Sequence, residues 1–138
     1  MGSRRKGREL AVQMLYQWDL TGEPVAQVLE SFSRLRDAPA AARELSQRLL
    51  EGTVFHLGEI DSLIAKHAEH WKLPRMAAVD RNILRLAIYE FLYEDVPKRV
   101  VINEALEVTK RFSGPEAVQF INGVLDAVRL SIEAPEAR

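Results

Sequence analysis

Residues 76–93 read MAAVDRNILRLAIYEFLY. Val79, Ile83, Leu84, Leu86, Ala87, Ile88, Phe91 and Leu92 recur at helical spacing but fall on most sides of the helix rather than on one stripe. Such a helix has to be surrounded, so this one is expected at the centre of an all-α fold.

The flanking segments supply the surround. A first helix is expected from about Ser3, as N-cap, to the Thr21-Gly22 stop, with Leu10/Ala11, Met14/Leu15 and Trp18 facing inward. Pro24 suits the first turn of a second helix carrying Val25, Val28/Leu29, Phe32 and Leu35, broken at Asp37-Ala38-Pro39. A third runs from about Ala40 to His56, and a short fourth from Glu59 to about His70. Beyond the central helix, Asp95-Val96-Pro97 starts a sixth with Val101, Ala105, Val108 and Phe112. Ser113 and Glu116 have the spacing of a capping box for a seventh, packed through Phe120/Ile121, Val124/Leu125 and Val128. The expected architecture is a compact all-α, single-domain bundle of about seven helices over residues 1–132, with a polar tail at 133–138.

The chain has 138 residues, 47% hydrophobic and 28% charged, which is the composition of one globular domain. It contains no cysteine, which excludes thiolate chemistry and fits a reducing cytoplasm. No apolar run is long enough to span a bilayer, so no membrane partner is expected. Net charge is −1, from 19 basic and 20 acidic residues. Arg4, Arg5, Lys6 and Arg8 account for four of the basic ones, so the remainder carries 15 against 20, a net of −5. Any nucleic-acid contact must therefore use a local patch.

Catalytic constellations are thin. There is no glycine-rich phosphate cradle, and no cofactor is implied. His67 and His70 are three apart on one helix, but a structural metal site needs two more ligands and His56 is the only other histidine. Arg81, Arg85, Glu90 and Glu94 on the central helix read as i,i+4 ion pairing along its edge, and the Asn103-Glu104 pair as satisfying backbone or another side chain. The chain is expected not to be an enzyme. The basic start is different, because cations in a first turn oppose the helix dipole at about 0.3–1 kcal/mol each. That placement argues for an external anion. Tyr16, eight residues after Arg8, would add a ring for base stacking on nearly the same side.

Three segments in order resemble the NusB family of bacterial antitermination factors. They are RRKGRELAVQMLYQWDL at 4–20; DRNILRLAIYEFL at 80–92 with DVPKRVVINEALEVTKRF at 95–112; and FINGVLD at 120–126. The resemblance implies an all-helical RNA-binding protein without enzymatic activity. Its partners would be boxA-type single-stranded RNA, the ribosomal protein NusE, and the RNA polymerase antitermination complex in rRNA transcription. Some members also form homodimers that mask the RNA site. By position, Arg4, Arg5, Lys6 and Arg8 match the family's arginine-rich RNA-contacting start, Tyr16 its tyrosine and Phe120 its aromatic near RNA. Asp80 and Arg85 fall on the helix presented to RNA and NusE. Glu116 falls where members carry an acidic residue linked to antitermination. Lys6-Gly7 departs from the usual arginine and alanine, and residues 23–43 align poorly. Two other readings compete: a helical protein-interaction adaptor whose basic start is merely solvated, and the NusB-like domain of an rRNA methyltransferase, which expects a second, αβ catalytic domain.

Overall fold

The computed structural model describes residues 2–68 and 72–134. Among them are eight α-helices and no strand: α1 (Gly2–Thr21), α2 (Val25–Ser31), α3 (Ser33–Arg36), α4 (Ala40–Phe55), α5 (Leu57–His67), α6 (Ala78–Tyr93), α7 (Lys98–Phe112) and α8 (Pro115–Glu133), with a 3-10 turn at Leu73–Arg75. His70 and the tail from residue 135 lie outside the described residues.

The central-helix expectation holds. Every residue from Asn82 to Phe91 is buried, and α6 packs against α1, α4, α5, α7 and α8. Around it, Leu15, Leu49, Leu50, Ile60, Ile64, Ile121 and Leu125 fill one continuous core. The most extensive packing between two helices is between α1 and α4. A Cβ on Gly7 would crowd the Leu45 side chain of α4, so the glycine that loosens the start of α1 also lets the two helices approach closely.

Three details differ from the sequence reading. The expected second helix is two, because Phe32 leaves helical geometry at φ −80°, ψ 96°. The break turns its half-buried ring onto Leu10, Ala38 and Ala42. Ser113 is not the N-cap of α8; Gly114 is, with no side-chain cap bond. Its φ of 156° lies in a region that side chains with a Cβ rarely adopt, so backbone conformation rather than a capping box sets that helix start. Finally, α1 begins at Gly2 without Ser3 as cap.

The charges of α6 do not pair along the helix as its i,i+4 spacing suggests. Arg81 donates from Nε to Asp19 Oδ2 at 2.9 Å, and Arg85 donates from Nε and Nη2 to both oxygens of Asp61, each at 2.9 Å. Asp19 also accepts from Asn82 Nδ2 at 3.0 Å and Arg85 Nη1 at 3.2 Å. The Arg85 guanidinium lies 5.9 Å from the Trp18 ring centroid. These long-range bonds tie α1, α5 and α6 together and satisfy charges that burial would otherwise make costly. No helix among the described residues is long and apolar enough to cross a membrane.

Candidate nucleic-acid interface

The four cations at the start of α1 meet different surroundings. Arg8 lies about one turn further along the helix than Arg4 and Arg5, where α6 covers it. Its side chain is 5% exposed and that of Glu90 on α6 is 3% exposed. Arg8 donates from Nε to Glu90 Oε2 at 2.9 Å and from Nη2 to Oε1 at 2.8 Å. Burial alone would lower the Arg8 pKa, but the Glu90 hydrogen bonds and charge more than offset it, and the net direction is upward. Arg8 is therefore a sealed structural cation and not the surface cation that the sequence suggests. The same holds for Arg85, which is buried between Asp19 and Asp61.

Arg4 and Lys6 are exposed and have no hydrogen-bond or ion-pair partner among the described residues. Arg5 is exposed as well but has a partner. It donates from Nε and Nη2 to the two oxygens of Glu104 on α7, both at 3.0 Å. That bond holds the Arg5 pKa above, and the Glu104 pKa below, its usual range. Gly2, Arg4, Arg5, Arg8, Val96, Val100 and Glu104 line an open cleft of about 280 Å³ between the starts of α1 and α7.

Sequence reasoning missed the second half of this cluster. Lys98 and Arg99 form the first turn of α7, unpaired among the described residues, and no acidic residue stands in that turn. Two helices thus begin with cations against their dipoles at one end of the molecule. The signal was present in the sequence as Pro97-Lys98-Arg99, but only the fold brings the start of α7, through Val96 and Val100, to the cleft that Arg4 and Arg5 line.

Tyr16 belongs with Arg5 rather than with Arg8. Eleven residues make about three whole turns, whereas eight leave a rotation of about 80°. Its exposed ring lies on an apolar groove of about 500 Å³ with Val12, Leu20, Phe32, Val79 and Phe112. Next to that groove, a cleft of about 300 Å³ gathers Asp80, Glu116 and Phe120 with Met76, Ala77, Ser113 and Ala117. Asp80 Oδ1 is buried there without a hydrogen-bond partner. The structure so divides the sequence-selected residues into a basic end, at the starts of α1 and α7, and an aromatic and acidic end, where α6 and α8 begin. The length of α7, about 20 Å, separates the two ends.

Among the described residues no cluster of three His, Asp or Glu side chains is placed to hold a metal ion. The fold and this face define the class: an all-α helical bundle with a basic end and an aromatic and acidic end. The NusB family matches residues 5–129, and the chain belongs to that family of transcription antitermination proteins. Transcription antitermination protein NusB of Koribacter versatilis is 50% identical over 135 residues, covering 96% of this chain and 92% of that one. Its counterpart from Solibacter usitatus is 46% identical over 139 residues, covering 99% and 95%. A solved structure of the antitermination factors NusB and NusE in complex with dsRNA superposes with a TM-score of 0.83 at 33% identity, covering 95% of this chain and 98% of that one.

Proposed function

We propose that residues 1–132 form one RNA-binding domain that holds boxA-type single-stranded RNA together with NusE in the cytoplasm. Bound so, it acts on RNA polymerase during rRNA transcription. The observation that carries this reading is the pair of helix starts, Arg4-Arg5-Lys6 and Lys98-Arg99, which carry cations against both dipoles, with one open cleft between α1 and α7 lined by Arg4, Arg5 and Val100. Phosphates at that end would recover what the isolated fold gives up. Tyr16 and the Phe120 ring then lie along the strand for base stacking, with Asp80 and Glu116 beside Phe120 as acceptors for base amino groups or for NusE. A patch this small gives salt-sensitive attachment with little sequence preference, which makes a second protein subunit a natural source of affinity.

The test is a fluorescence-anisotropy titration of a labelled boxA-type RNA, with and without NusE, against wild type and an Arg4→Ala/Lys6→Ala variant. The variant should fold normally, bind more weakly, and show a log–log salt slope shallower by about 1.4, since each lost phosphate contact on a single strand contributes about 0.7. Identical binding and slope would favour the adaptor reading, in which the basic start is only solvated.

A further inference from the structure

The geometry points to Glu104 as a built-in phosphate mimic that occupies Arg5 until RNA displaces it, so that the free protein resists indiscriminate polyanion binding. The inference rests on the RNA reading above and assigns the basic end a selectivity element.

Three observations carry it. The Arg5–Glu104 contact is fork to fork, with two parallel N–H···O bonds of 3.0 Å, the arrangement a guanidinium also makes with a phosphate. The pair stands on the wall of the open cleft, with side chains 48% and 21% exposed, unlike the buried Arg8–Glu90 pair. An exposed pair exchanges partners easily, whereas a sealed one does not. Glu104 is also the one carboxylate among the residues lining that cleft, set among Arg4, Arg5 and Arg8. The hydrogen bond from Arg5 holds its carboxyl below the ordinary range, so it stays ionised and in competition near neutral pH.

A strand that places a phosphate at Arg5 must therefore both replace the carboxylate and tolerate its charge nearby. RNA held elsewhere by specific contacts can do so, and RNA attracted by charge alone is penalised. Removing the charge should free Arg5 and erase the penalty.

The experiment compares wild type, Glu104→Gln, and Arg5→Ala/Glu104→Gln on a boxA-type RNA and on an oligouridine of the same length. Glu104→Gln should bind oligouridine roughly 3- to 10-fold tighter at low salt, with a slope steeper by about 0.7, and its preference for boxA-type RNA should fall. The double variant, which has the wild-type net charge, should lose that gain. A measurement on wild type needs no variant to fold: the Glu104 carboxyl, followed by carbon-13 NMR, should titrate at higher pH in the RNA-saturated protein than in the free one. Wild type that binds RNA while Glu104→Gln binds both RNAs equally or more weakly, or a Glu104 titration unmoved by RNA, would overturn this inference alone. Wild type that binds neither RNA would overturn the RNA reading itself.

Discussion

Arg8 sits one turn beyond Arg4 on the same helix, yet its guanidinium is sealed against Glu90 while Arg4 meets solvent. A buried ion pair adds little beyond what apolar packing would, but removing one partner strands the other charge in the core. Arg8→Ala should cost about 3–5 kcal/mol in urea denaturation, by the usual penalty for an orphaned buried charge. Arg4→Ala should leave the midpoint within about 0.5 kcal/mol, as surface substitutions do. If Arg8→Ala instead lowers only RNA affinity, the guanidinium is not the structural cation that its 2.8 Å contact to Glu90 implies. Both residues looked alike in the sequence because charge spacing does not state which side of a helix is covered.

Between elements, close approach decides more than propensity. Gly52 lies inside α4, where alanine would normally favour the helix by about 0.5–1 kcal/mol. A Cβ there would fall inside van der Waals contact of the Tyr89 ring on α6. The ring cannot yield easily: it stacks on Tyr93 at 5.5 Å, and its hydroxyl faces Glu94, itself forked to Arg48. Gly52→Ala should therefore destabilise by about 1–3 kcal/mol, the usual cost of overpacking, which a shift in the denaturation midpoint would read. A neutral or stabilising result would mean that α4 and α6 can part at little cost. The same cluster leaves Phe55 82% exposed at the end of α4, stacked edge-on to His56.

Over the whole molecule, carboxylates on one helix meet guanidiniums on another, and this sets the response to acid. Burial pushes the Asp19 carboxyl upward, but hydrogen bonds from Arg81 and Asn82 with the Arg85 charge bring it below its ordinary 3.8. Glu104 is held below its ordinary 4.5, first by the hydrogen bond from Arg5. A group whose pKa is lower in the folded state binds fewer protons there. Its contribution is whole above the unfolded value and is lost as pH falls through the folded one. Stability should stay level from neutral pH to about pH 5 and decline below about pH 4, and Asp19→Asn should lower the plateau and flatten the decline. An acid limb unchanged in Asp19→Asn would show that other carboxyls control it.

Sequence periodicity by itself determined the all-α class, the central place of residues 76–93 and most helix ends, because a 3.6-residue repeat and its Pro and Gly stops are local properties. The ordered segments at 4–20, 80–112 and 120–126 were enough to indicate the family. The partners of the charges were not legible. Arg5 and Glu104 are 99 positions apart and Arg8 and Glu90 are 82, so no local pattern pairs them. Only the packing of α1 across α6 and α7 decided that Arg8 is sealed, Arg5 is held, and Arg4 and Lys6 are free, because burial and charge pairing depend on which helix lies alongside.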